Sequence, residues 1–239
     1  LEELAMRKSV FPVVLATLFV SILFAWPARG TDEPPIITKK ELRTASNHLK
    51  QIALAFHGYH DAMDHFPTDI VDKDGKPLLS WRVALLPYLE QDDLYKCFKM
   101  DEPWDSPTNK KLIEKIPKIY APVRGKAKAG ETFYQVFVGE NTLFGPNKKP
   151  NIVSITDGTS NTGMVFEAGD PVIWTKPADL PFDEKKPLPK LGGMFDGEFH
   201  VAMCDGSVRL LKKNPDEQQL KYLIMPADGN IIDFKKLEN

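Results

Sequence analysis

Between positions 38 and 63, apolar or small residues fall at Leu42, Ala45, Leu49, Ile52, Ala53, Phe56, Tyr59 and Met63. Steps of three and four recur, so the spacing predicts one long helix with a single buried stripe, ended by Phe66-Pro67. Asp74-Gly75 marks a turn. Residues 81–89 are apolar enough for the core and predict a helix interrupted near Pro87. Residues 109–116 predict another short helix. The period then changes. Residues 132–138 are rich in aromatic and β-branched side chains and predict a strand, and 163–167 predict a second. Residues 199–204 and 207–211 flank Asp205-Gly206, a hairpin signal. A short helix over 217–225 closes the pattern. The stretch 171–189 holds five prolines and predicts a long loop. Helices first and antiparallel strands later predict an α+β domain, with the long helix laid on a small sheet.

One apolar run has no such period. Met6-Arg7-Lys8 precedes residues 10–26, which are apolar except for Pro12, Thr17 and Ser21, and Ala28, Arg29 and Gly30 follow. A basic start, an apolar middle and small residues near the end predict a secretory signal over 1–30, cut after Gly30. The alternative is an uncleaved anchor, since the run is long for a signal and short for a comfortable span. A mature chain beginning at Thr31 would support the first, and retention of 10–26 the second. Met6 reads as the true start. Residues 31–38, with Pro34-Pro35, form a linker, and 39–239 form a single domain.

Composition adds exclusions. The chain has 239 residues, net charge −2, 42% hydrophobic and 27% charged residues, which excludes a disordered chain. Lys+Arg 31 against Asp+Glu 33 excludes a nucleic-acid binder that works through a strong basic field. Export puts Cys97 and Cys204 in a compartment that permits a disulfide, with two buried free thiols as the equal alternative.

Candidate chemistry is sparse. Four of the five histidines, His48, His57, His60 and His65, fall on or just after the long helix. His57 and His60 are three apart and His57 and Asp61 four apart, so they share a helical face and could hold a transition metal. Hydrogen-bonded surface groups are the commoner use of such a pattern. In residues 155–162 (ITDGTSNT), Asp157, Ser160 and Asn161 could offer oxygen ligands to calcium, without the spacing of an EF-hand loop. A turn whose side chains bond their own backbone explains them better. No catalytic motif occurs, and a triad of Ser160, His200 and Asp205 can be drawn only arbitrarily. Asp92-Asp93 and Asp183-Glu184 sit in solvated stretches. Trp81, Trp104 and Trp174 could line a ligand groove, although core packing is the more frequent use. No catalytic or cofactor residue is assigned, and the chain is expected not to be an enzyme.

Several strings taken in order resemble the bacterial family called domain of unknown function 1559, also labelled solute-binding protein family 10. They are 47–61 (NHLKQIALAFHGYHD), Phe66-Pro67, 80–83 (SWRV), 86–91 (LPYLEQ), 103–109 (PWDSPTN), 155–162, 174–180 (WTKPADL), 191–193 (LGG) and 205–209 (DGSVR). The resemblance runs over roughly residues 40–232. It implies a pilin-like fold, because many members carry a prepilin leader whose helix continues into the segment matching 47–61. This chain has an ordinary export signal there instead. Members often place a histidine where Phe195 stands, and cysteines where Ala45 and Ala121 stand; the joint absence implies one lost bridge. The resemblance implies an exported, non-enzymatic structural or protein-interaction module of the cell envelope, periplasmic or extracellular. Its expected partner is an envelope protein, with no nucleic acid, and a membrane only if the signal is retained. The alternative is a binding module for a small solute, a glycan or a metal ion.

Overall fold

A computed structural model describes residues 36–125, 127–145 and 148–238. The signal assigned to residues 1–30 lies outside the described residues, as does most of the linker. The long helix is present as α1 (Lys39–Met63). Thr38 caps it: its hydroxyl accepts the Glu41 N–H at 3.2 Å, and the Glu41 carboxylate accepts the Thr38 N–H at 2.8 Å. The helix ends at Asp64 in a left-handed conformation, whose N–H returns to the His60 carbonyl, so it stops before Phe66-Pro67. Ala45, Leu49, Ile52, Ala53, Ala55 and Phe56 form its buried stripe, whereas Met63, counted in the sequence pattern, is exposed.

Two short strands, β1 (Ile70–Val71) and β2 (Pro77–Leu79), pair around the Asp74-Gly75 turn. The apolar segment after them divides as expected near Pro87, into α2 (Trp81–Ala84) and a 3-10 turn Leu86–Leu89. A one-turn helix α3 (Asp92–Tyr95) follows, and Asn109–Lys115 is a 3-10 segment.

The sheet side is β3 (Glu131–Gln135), β4 (Phe137–Val138), β5 (Gly163–Ile173), β6 (Leu180–Pro181), β7 (Phe199–Met203) and β8 (Val208–Leu211). Four of these form an antiparallel sheet in the order β3-β5-β7-β8, while β4 and β6 make a separate parallel pair. The single strand expected over 132–138 therefore breaks at Val136 and serves two sheets. The loop expected over 171–189 begins later than its prolines suggest, because β5 continues through Pro171. The register with β3 slips between Thr132 and Tyr134, and a strand tolerates proline at such an irregularity. Gln135 Nε2 donates there to the Asp170 carbonyl at 2.8 Å.

The hairpin also differs in detail. Gly206 has φ 83° and its N–H returns to Met203, while Asp205 is not left-handed. Cys204, Asp205 and Gly206 thus make a three-residue loop with glycine at its left-handed position, rather than a two-residue Asp-Gly turn. A final helix α4 (Glu217–Ile224) starts at Asp216, whose carboxylate accepts the Gln219 N–H.

The sheet is covered on both faces. Val165, Ala202 and Cys204 join the core beneath α1, and Phe166, Phe199, Val201 and Met203 join the core with α4. This alternation is the period of two expected of strands buried on both sides. The fold is α+β, with the long helix on an antiparallel sheet. Among the described residues no helix is long and apolar enough to cross a membrane.

Candidate functional site

Residues from two of the family-like strings, 47–61 and 86–91, meet residues 115–119 in a groove of about 750 Å³ beside α1. On the helix, Gln51 and Leu54 are three apart and share one face. Leu54 is 67% exposed, unusual for leucine at the middle of a long helix. The second wall comes from the 3-10 turn and the residues after it. Glu90 adopts φ 58° and returns its N–H to Leu86, which swings Glu90 and Gln91 to the rim. Tyr88 lies over Tyr59 at 5.4 Å between ring centres. Gly58 permits this approach, because a Cβ there would meet Tyr88 at 3.3 Å. Burial and the neighbouring Tyr88 and Tyr95 hydroxyls raise the Tyr59 pKa. The third wall is residues 115–119, held from behind by Tyr120, which is fully buried, stacks on Trp174 and donates its hydroxyl to the Arg82 carbonyl at 3.1 Å. Lys115 and Lys118 stand exposed on this wall and ion-pair with none of the described residues. The groove thus combines an apolar floor, two amides and two free ammonium groups.

Elsewhere the polar residues of the strings are occupied by the fold. Arg82 is fully buried. Its guanidinium donates to Asp179 at 2.7 Å, to the Tyr134 carbonyl through Nε and Nη2 at 2.9 and 2.8 Å, and to the Ser80 hydroxyl at 2.7 Å. Asp179 also accepts the Trp81 indole N–H at 3.2 Å and the Val136 N–H at 2.9 Å. The strings at 80–83 and 174–180 are therefore two halves of one buried ion pair. Asn109 accepts the Lys99 N–H and donates to the carbonyls of Lys99, Glu102 and Pro103, closing the loop 99–109 on itself.

A second polar group lies between α1 and the sheet. Tyr134 and Glu167 pair across β3 and β5, and the His200 N–H and Nδ1 meet the Glu167 carboxylate at 2.8 and 3.1 Å. From α1, His48 Nδ1 stands 3.4 Å from the Tyr134 hydroxyl. Burial raises the pKa of Glu167 and, together with the nearby Glu167 carboxylate, that of Tyr134; burial lowers that of His48.

The sequence-derived candidates are distributed differently from their expectation. His60 Nε2 lies 3.5 Å from the Ile152 N–H, His57 Nε2 is buried near the Gly206 turn with no hydrogen-bond partner among the described residues, and Asp61 is exposed. Both rings pack against Phe66, at 5.8 and 4.9 Å between ring centres, while their Nε2 atoms face different surroundings. Asp157 accepts the N–H groups of Asp228 and Gly229 at 2.7 and 3.1 Å, and the Asn161 amide donates to the Asp157 carbonyl. Its carboxylate pins the segment after α4, and Ser160 sits in the same turn. Among the described residues no three His, Cys, Asp or Glu side chains cluster to hold a metal ion. His200 is paired with Glu167, while Asp205 accepts the Ser207 N–H in its own turn, so the drawn triad is not assembled. Trp81 and Trp174 are core residues, and Trp104 lies under the Lys176 ammonium; none of the three lines the groove. Cys204 is buried and Cys97 exposed, both free thiols, which corrects the bridge and also the expectation of two buried thiols. The Glu41–Arg124 ion pair at 3.4 Å ties the turn before Ala45 to the segment after Ala121.

The structure defines the class first: a mixed helix-and-sheet domain whose motif residues are largely spent on its own loops. Residues 43–122 match the family model described as "Protein of unknown function (DUF1559)", which supports assignment to that family. The match runs from residue 43, inside α1, to beyond Tyr120 and so contains every groove residue; the strings beyond 122 stand as a resemblance. No curated protein and no solved structure matches this chain.

Sequence reasoning missed the groove because it depends on the distance between α1 and residues 115–119. It also missed Glu167, although a lone carboxylate inside the apolar run 164–168 was a signal: a buried charge requires a partner.

Proposed function

We propose that this chain is an exported, non-enzymatic interaction module of the cell envelope, pilin-like in build, that holds an extended acidic segment of a protein partner in the groove beside α1. The groove carries this reading. Leu54 is left exposed in its floor, and Lys115 and Lys118 have no ion-pair partner among the described residues, so apolar contact and carboxylate recognition are both on offer. Gln51 and Gln91 can bond a partner's backbone, as extended-peptide sites require. Glu90 on the facing rim disfavours a uniformly acidic strand and favours alternation of acidic and apolar residues. Export rests on the signal pattern in residues 1–30, and the absence of turnover on motif residues already bonded within the fold.

Fluorescence anisotropy with labelled ten-residue peptides tests the reading. Alternating Glu/Leu peptides should bind, and their Lys/Leu counterparts should not. The double variant Lys115→Glu/Lys118→Glu should weaken binding at least tenfold with the melting temperature unchanged, since both side chains are exposed. Equal binding of acidic and basic peptides, or no effect of the reversal, would overturn it.

A further inference from the structure

The loop between α1 and β1 brings a second carboxylate to the Arg82–Asp179 pair. Asp69 Oδ1 accepts the Trp81 N–H at 3.0 Å, while the indole N–H of the same tryptophan donates to Asp179 at 3.2 Å. One residue therefore joins both carboxylates, and the site holds two acidic groups against one guanidinium. The two are not held alike. The Asp179 side chain is only 4% exposed and receives Arg82, the Trp81 indole and the Val136 N–H. Asp69 is half-buried and has one described donor. Facing them from the packed elements are Arg82 and the Ser80 hydroxyl at α2, the Tyr134 carbonyl on β3, and Tyr120, whose hydroxyl donates to the Arg82 carbonyl.

We propose that Asp69 is a proton-operated latch, which fastens the α1–β1 loop to α2 when protonated and loosens it when ionised. Charge accounting supplies the cause. With Asp69 neutral, Arg82 and Asp179 balance, and the Asp69 carbonyl oxygen still accepts from Trp81. With Asp69 ionised, an uncompensated charge faces Asp179 in a region of poor solvation, which is costly. Asp69 is the group able to retreat to water, because Asp179 is enclosed. Burial and the Asp179 charge raise the Asp69 pKa to about 6, against the opposing pull of Arg82 and the Trp81 N–H. A folded-state pKa above the unfolded value stabilises below the unfolded value, near 4, and that contribution is lost as pH rises through about 6. The domain's Asp69 contribution therefore favours mildly acidic surroundings, opposite to the usual behaviour of a paired carboxylate.

Urea unfolding of the full chain and of Asp69→Asn at pH 4.5 and pH 7.5 tests this. Asparagine keeps the acceptor for Trp81 and cannot ionise. The ratio of unfolding constants, wild type over variant, should rise about 25-fold between the two pH values, less than the full effect of the shift because pH 4.5 already lies above the unfolded-state pKa. A ratio constant within threefold overturns the latch. Carboxyl carbon chemical shifts of the wild type provide a second measurement that stands even if the variant fails to fold. An Asp69 midpoint between 5.5 and 6.5 is expected, and one below 4.5 overturns the proposal. Hydrogen exchange at the Trp81 amide, corrected for intrinsic rates, should be at least tenfold faster at pH 7.5 than at pH 5; equal corrected rates would contradict loosening of the loop.

Discussion

The two faces of the central sheet are stabilised by different means. Toward α4, the core is Phe166, Phe199, Val201, Met203, Leu211 and Leu223, an apolar cluster that needs shape and area only. Toward α1, the sheet presents Tyr134, Glu167 and His200, and beside them Arg82 is enclosed with Asp179. Apolar packing tolerates exchange of one hydrophobic residue for another of similar volume. A buried ion pair tolerates no such exchange of one partner, because the other is left charged and unpaired. The α1 side is thus the side where particular residue types, not merely apolar ones, are required. Both halves of its ion pair lie in the family-like strings.

The largest expected effect breaks the polar side. Arg82→Met leaves Asp179 buried without its cation and should destabilise the domain by about 3–5 kcal/mol in urea unfolding. The double variant Arg82→Met/Asp179→Leu should lose clearly less than the sum of the single variants; additivity would mean the two side chains are not coupled. On the apolar side, Leu223→Ala should cost about 2–4 kcal/mol from lost contacts and a residual cavity. Leu223→Met should recover most of it, a rescue that Arg82→Lys should not achieve, since lysine lacks the fork that serves Asp179, Tyr134 and Ser80 together. The smallest effect is at the periphery. Asp157→Ala removes the acceptor for the Asp228 and Gly229 N–H groups and should cost about 1–2 kcal/mol. Faster amide exchange should then be confined to residues 226–230, and spreading of the change into the sheet would contradict a local role.

Much of the fold was legible because its signals are local. The α1 stripe is a function of spacing alone, and it placed the helix within one residue of its start. Pro87 split the segment at 81–89 as expected. The hairpin was found but its loop was lengthened by one residue, since Asp205 does not take the left-handed conformation that a two-residue turn needs. Pro171 misled for a reason outside the local sequence: the slip between β3 and β5 absorbs it. The site was much less legible. His57, His60 and Asp61 share a helical face by spacing, yet the two histidines meet the Phe66 ring and the backbone near residues 152 and 206, and Asp61 is exposed. Asp157 was read as belonging to a turn, and its bonds to residues 228 and 229 span 71 and 72 residues of chain.

From its sequence alone this protein is determined to have an amphipathic helix of about seven turns, a run of antiparallel strands and nearly balanced charge, because period, capping and composition are local or additive properties. Tertiary structure decided which carboxylate meets Arg82, that both thiols stay free, and that Leu54, Tyr88 and Lys118 border one groove. Those are pairings across tens of residues, set by how the chain closes on itself, and no local pattern encodes a distance between segments that only packing brings together.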